Sequence, residues 1–164
     1  QDKHINLGMV NESKDAILYH DERVLKAMEA LRVVHPIVNP AFHLEEKVYQ
    51  MWIFADDEDD IHFLKTRLSK FECYPWHVGG ADFIYHHVHK AAGIQTLRQI
   101  DPYDHLIVIG DGMNDLKMIE LADIGIAMGN ARDEIIKEKA QYVAPHIKED
   151  KLYDFFKSIG ILNL

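Results

Sequence analysis

The stretch HLIVIGDGMNDLKMIELAD, His105 to Asp123, decides how this chain is read. Four apolar residues, Leu106 to Ile109, run directly into Gly110, Asp111, Gly112, Met113, Asn114 and Asp115, and an amphipathic stretch follows at once. An apolar run closed by glycine and followed by helical periodicity predicts a buried strand, a tight turn and a helix. In an open parallel sheet, ligands bind beyond the carboxyl ends of the strands, and this reading puts Asp111 at such an end. Gly110 and Gly112 let the backbone turn sharply and approach a ligand closely. Asp115 falls in the first helical turn and can point back toward Asp111. Two carboxylates beside the amide of Asn114 make a hard-oxygen cluster suited to Mg²⁺, which takes carboxylates, waters and substrate phosphate. A plain Asp-Gly turn followed by an Asn-Asp helix cap would use the same residues. The apolar strand before and the periodic helix after favour a site.

Outward from this stretch the rhythm is regular. A helix is expected over Lys90 to Gln99, a strand over Leu106 to Ile109, a helix over Asn114 to Leu121 and a strand over Ile124 to Met128. A helix then opens near Asn130, a strand covers Gln141 to Ala144, and a last helix carries Leu152, Phe155, Phe156 and Ile159 before Gly160 as a stop. Alternating strands and helices imply a parallel sheet covered on both faces, with the run LIVI in a central position. The segment IGIAMGNARDE repeats the logic of the first turn, with Asn130 as the expected N-cap and Asp133 and Glu134 in the first turn. That structural explanation of Asn130 is sufficient by itself.

The first half reads differently. Asp21 to Leu31 has Val24, Met28 and Leu31 at helical spacing, HPIVNPAF (His35 to Phe42) is expected to be a loop, and Val48 to Phe54 a strand. The acidic run Asp56 to Asp60 lacks the spacing of a calcium loop and suits the positive end of the helix that follows. Cys73 to Val78 and Ala81 to His86, separated by Gly79-Gly80, predict a hairpin. Residues 1–85 therefore form an α+β unit with an antiparallel or mixed sheet, and residues 86–164 an α/β unit.

Composition narrows the function. The net charge is −9 and the estimated pI is near 5.6, so the surface repels phosphate backbones and nucleic-acid binding is not expected. Handling a phosphate on such a protein requires a local cation or lysine. Cys73 is the single cysteine, which excludes an internal disulfide framework and agrees with a cytoplasmic location. No apolar run approaches the roughly 20 residues that cross a bilayer, so no membrane association is expected.

With these features in place, GDGMNDLKMIELADIGIAMGNA, followed by EKAQYVA and the terminal helix, resembles the end of a Cof-type phosphatase of the haloacid dehalogenase-like superfamily. The resemblance is dense from Lys90 to about Lys157 and much weaker in the first half, which resembles the cap inserted into such cores. It implies the C-terminal half of a Rossmannoid parallel-sheet core (86–164) joined to an incomplete substrate-specificity cap (1–85). It also implies Mg²⁺-dependent hydrolysis of a phosphate monoester of a small metabolite, a sugar phosphate or similar, through an aspartyl-phosphate. A phosphomutase is a neighbouring possibility. On this resemblance Asp111 coordinates Mg²⁺, and Asp115 is either a second ligand or a partner behind the first. Asn114 contacts the phosphoryl group or a metal-bound water. Lys90, in HKAAGIQTL, is the catalytic lysine that neutralises phosphate charge and orients the nucleophile. Trp76 and His77, in the cap-like hairpin, are candidate substrate contacts.

The resemblance breaks at one point. It requires a D-x-D pair closing the first core strand, whose first aspartate is the nucleophile. The stretch Ile53 to Glu58 ends an apolar run in acids, but it lies in the cap-like half and its Asp56 and Asp57 are adjacent. The nucleophile is thus expected outside this chain, which by itself should be inactive. His86, His87 and His89 stand where small residues usually precede the lysine, and are read as polar surface or cleft-lining groups. Three possibilities stay open: part of a longer phosphatase, an inactive relative that binds a phosphate ligand or a partner, or a half-core whose sheet edge another chain covers.

Overall fold

Strand alternation organises the first half. The computed structural model describes residues 5–163, and they fall into two compact units, one reaching to His86 and one starting at His87. In the first, Asn6–Val10 (β1) is flanked by Asp15–Ile17 (β2) and Gln50–Phe54 (β4), and Ile37–Val38 (β3), Phe71–His77 (β5) and Gly80–Tyr85 (β6) complete a six-stranded mixed sheet of order β3-β2-β1-β4-β6-β5. Among the described residues of this sheet, only β2 and β3 pair in parallel. Leu7 and Met9 point to one face with Ile53, Ala81 and Phe83. That face is buried under Phe42 of the helix Phe42–Glu45 (α2) and Ile61 of the helix Glu58–Arg67 (α3). The opposite face carries Ile17 and Phe54, on which Val24, Ala27 and Met28 of the helix Glu22–Leu31 (α1) pack.

Both long helices start as their sequence suggests. The Asp21 carboxylate accepts the Val24 N–H at 3.0 Å, and Asp57 accepts the Asp60 N–H at 3.0 Å, so the acidic run caps a helix. The stretch His35 to Phe42 is not simply a loop. Its β-branched pair Ile37-Val38 forms the edge strand beside β2, and Phe42, 1% exposed, anchors α2. Neither contribution shows as periodicity because each element is too short to display it.

The second unit is a three-stranded parallel sheet of Ile107–Gly110 (β7), Ile124–Ala127 (β8) and Tyr142–Val143 (β9), in that order. On one face, Val108 and Ala127 pack with Ile94 of the helix Lys90–Ile100 (α4), Ile119 of Leu116–Leu121 (α5) and Ile136 of Glu134–Lys139 (α6). On the other, Ile126 and Met128 pack with Leu152, Phe155 and Phe156 of Leu152–Ser158 (α7). Burial on both faces explains the unbroken apolar runs in β7 and β8.

Two expectations need correction. The run ending at Gly110 is not central: among the described residues β7 pairs with β8 alone, and Ile109 is 38% exposed. An apolar strand reads the same in either position, because sequence reports what a strand's faces meet and not whether its edge is paired. The helix expected near Asn130 starts only at Glu134, after an extended Asp133 that makes no side-chain cap bond. Asn130 is therefore not its N-cap.

Ile119 is fully buried where α5 meets β7 and β8. Ile119→Ala should lower the stability of the second unit by about 2–5 kcal/mol, through lost transfer energy and a residual cavity. Ile100→Ala, at a position 76% exposed, should change it by less than about 0.5 kcal/mol. Urea unfolding of both variants checks the contrast, and equal effects would contradict this core.

Candidate functional site

β7 and β8 are parallel, so their carboxyl ends open at the same edge of the sheet; β7 ends in Gly110 and runs into Asp111, and two residues past β8 a second glycine, Gly129, precedes Asn130. A turn of 3₁₀ helix, Met113–Asp115, links β7 to α5 and turns Asp115 back on the strand end. Its Oδ2 accepts the backbone N–H groups of Asp111 at 2.9 Å and Gly112 at 3.1 Å. Its Oδ1 accepts a short hydrogen bond from Lys90 Nζ, which is also an ion pair. Lys90 opens α4, where His89 is the N-cap, its Nδ1 accepting the Ala92 N–H at 3.1 Å.

Gly110 is required by this packing rather than by an unusual backbone. A Cβ at that position would lie 2.4 Å from the Asp115 Cβ. Gly112 is extended, with φ −120°, and among the described residues the glycine with positive φ is Gly160. The expected sharp turn is thus replaced by a close approach of side chain to backbone.

Asp115 is 3% exposed, whereas Asp111 is open to solvent. Burial alone would push the Asp115 carboxyl up. The Lys90 hydrogen bond, the two backbone N–H bonds and the Lys90 charge outweigh that and hold it below the ordinary carboxylate range. The two aspartates have therefore separated in role: Asp115 ties the turn to α4, and Asp111 presents its carboxylate to a cleft.

That cleft, about 470 Å³, is lined by Lys90, Asp111, Asp115 and Asn130 among the polar residues, with Ile147 and Leu152 on its apolar side. Sequence reasoning placed Lys90, Asp111 and Asp115 together, and they are together. Asn114 is not in the lining; its Oδ1 lies against Gly112, 2.8 Å from where a Cβ would sit. Asn130, read from sequence as a cap, lines the cleft instead. Its signal was present in the repeated strand-Gly-polar pattern of Gly110-Asp111 and Gly129-Asn130. In the first unit, Trp76 donates its indole N–H to Asp82 at 2.9 Å and stands edge-on to Phe54, while His77 Nδ1 accepts the Gly79 N–H at 3.2 Å.

Among the described residues no three His, Cys, Asp or Glu side chains converge as a metal cage. His86 meets the Ser69 carbonyl at 2.6 Å and His89 is spent as a cap. The oxygens near Lys90 nevertheless fit Mg²⁺, which is commonly bound by one or two carboxylates with waters and substrate phosphate completing the shell. Asp111 is the carboxylate free to serve, since both Asp115 oxygens already accept hydrogen bonds from the protein. No helix among the described residues is long and apolar enough to cross a membrane.

The depressed Asp115 carboxyl links folding to pH. Its contribution is fully present above the unfolded aspartate value, about 3.9, and is lost as pH falls through the lower folded value. Asp115→Asn should therefore flatten the loss of stability below about pH 4. Urea unfolding between neutral and acid pH measures it, and an unchanged acid limb would refute the linkage.

Comparison with known proteins extends beyond the opening motif. A family model described as haloacid dehalogenase-like hydrolase matches residues 1–156. YkrA of Bacillus subtilis (strain 168) is 30% identical over 162 residues, covering 98% of this chain and 62% of YkrA. The 5-amino-6-(5-phospho-D-ribitylamino)uracil phosphatase YitU of the same organism is 30% identical over 150 residues, covering 85% of this chain and 54% of YitU. The chain thus spans less than two thirds of the length of each of these relatives. Among solved structures, the HAD subclass IIB sugar phosphatase BT4131 superimposes with a TM-score of 0.79 at 28% identity, covering 96% of this chain and 61% of that one. A match that runs through both units, and not only through the aspartate turn, places this chain in the haloacid dehalogenase-like hydrolase family.

Proposed function

We propose that the protein of which this chain is part hydrolyses the phosphate monoester of a small metabolite with Mg²⁺, through an aspartyl-phosphate on an aspartate outside these residues. The observation carrying this reading is the cleft at the ends of β7 and β8, where a lysine, an exposed carboxylate and an amide converge on an otherwise acidic protein. Names of relatives support it: YitU is named a phosphatase and BT4131 a sugar phosphatase.

The roles follow from the chemistry of phosphoryl transfer, which is mostly positioning and stabilisation of charge on the equatorial oxygens. Lys90, steered by Asp115, presents its ammonium to a phosphoryl group entering the cleft. Asp111 would hold Mg²⁺, and Asn130 is the amide lining the cleft that is available to a phosphoryl oxygen or a water, while Asn114 lies beside it against Gly112. Mg²⁺, when bound, neutralises charge on the phosphoryl oxygens. The first unit acts as a substrate-specificity cap, with Trp76 and His77 as contacts to the metabolite.

The nucleophile needs a strand of its own, and β7 has an open edge. Among the described residues its backbone pairs on one side only, Ile109 is partly exposed, and Leu97 and Ile100 on α4 are 55% and 76% exposed. Open apolar edges of this kind are normally covered. A strand from the rest of the same protein, ending in the nucleophilic aspartate, is the covering proposed here.

In the complete protein, hydrolysis of p-nitrophenyl phosphate should require Mg²⁺, and Asp111→Ala should reduce kcat/KM by at least about a hundredfold. Metal-independent turnover, or full activity in the variant, would overturn the assignment. The 164-residue chain alone should show no steady-state turnover. Activity from a preparation of verified mass would show that the nucleophile lies within it.

A further inference from the structure

Asn130 lies three residues past the end of β8, at the place where a helix cap is expected, yet α6 begins four residues later and Asn130 caps nothing in it. Its side chain lies between two other partners. The Oδ1 atom accepts the backbone N–H of Ile147 at 3.2 Å, and Nδ2 points at Asp111 Oδ2 from 3.5 Å. A carboxamide has an acceptor at one end and donors at the other. Turned over, it would set its oxygen against a carboxylate and its NH₂ against an N–H donor. The Ile147 N–H therefore selects which end of Asn130 meets Asp111.

The arrangement has a rigid seat. A Cβ on the adjacent Gly129 would lie 2.7 Å from the Ala144 carbonyl oxygen and 2.8 Å from the His146 nitrogen. The end of β8 and the segment leading to Ile147 are thus pressed together, and only glycine permits that approach. At 3.5 Å the amide is at the outer limit of hydrogen-bond reach. It biases the direction of the Asp111 carboxylate without tying the oxygen up, as a side chain waiting for a cation requires. Asp115 shows the opposite case, with both oxygens taken.

We propose that Asn130 is a positioning residue for Asp111: held by the Ile147 peptide, its NH₂ group orients the carboxylate that grips a divalent cation. The proposal rests on the metal-dependent reading of the cleft and adds to it a residue and a backbone group that tune cation affinity.

Mn²⁺ is the probe, its free concentration followed by electron paramagnetic resonance during titration of the 164-residue chain. Asn130→Ala should weaken Mn²⁺ binding about fivefold, the scale of losing one ordinary hydrogen bond, as suits a contact at 3.5 Å. Ile147→Pro removes the N–H while keeping the amide, at the first position of the 3₁₀ turn Ile147–Glu149, where proline is tolerated. It should weaken binding in the same direction, by about twofold, as part of the amide population turns over. Thermal unfolding of each variant separates this from simple loosening, because a purely structural Asn130 would lower the unfolding temperature and leave Mn²⁺ affinity unchanged. Native affinity in Asn130→Ala, with binding lost in Asp111→Asn, would overturn the proposal and leave the metal reading standing. Should Asn130→Ala not fold, native affinity in Ile147→Pro overturns it. If the chain does not bind Mn²⁺, or Asp111→Asn binds it normally, the metal reading fails and the proposal with it.

Discussion

The second unit depends on one buried carboxylate. Asp115 is nearly inaccessible, and it is tolerable there because a lysine and two peptide N–H groups receive its charge. That single group closes the turn after β7, fixes the start of α5, and holds the side chain of Lys90 at the strand end. Gly110 is the steric counterpart: no other residue leaves room for the Asp115 side chain. The site is built around this constraint, with Asp111 released to face the cleft because Asp115 takes the structural role.

The same logic repeats one strand over with neutral groups. Asn130 closes a contact between the end of β8 and the peptide of Ile147, as Asp115 closes one between the end of β7 and α4. Gly129 permits the approach there as Gly110 does here. Two adjacent parallel strands thus present one free carboxylate and one oriented amide at their shared edge. A ligand there would meet preset polar groups on a rigid sheet, the condition under which electrostatic stabilisation costs little reorganisation. Among the described residues β7 pairs with β8 on one side, and its other edge has no strand partner.

Much of this was legible from residue order. Strand and helix periods in residues 90–159 gave the parallel sheet covered on both faces, and the family resemblance brought Lys90, Asp111 and Asp115 to one place. The helix caps at Asp21 and Asp57 followed from local chemistry. Less legible were elements too short to show a period, such as β3 and α2, and the position of β7 in its sheet. The assignment of amides also depended on more than order: Asn114 looked like the amide of the site, yet it folds against Gly112, and Asn130 takes the cleft position.

The sequence by itself determined the α/β class of the second unit, its family and the identity of the paired aspartates, because hydrophobic period and turn chemistry are local and survive without neighbours. Tertiary structure decided which aspartate is buried and which is free, that Asn130 faces Asp111 instead of capping a helix, and that β7 lies at an edge. Those outcomes depend on Lys90, Ile147 and β8, which lie 17 to 25 positions away along the chain and whose proximity is a product of the fold. Local pattern states what a residue is able to bond; only packing states which of its possible partners arrives.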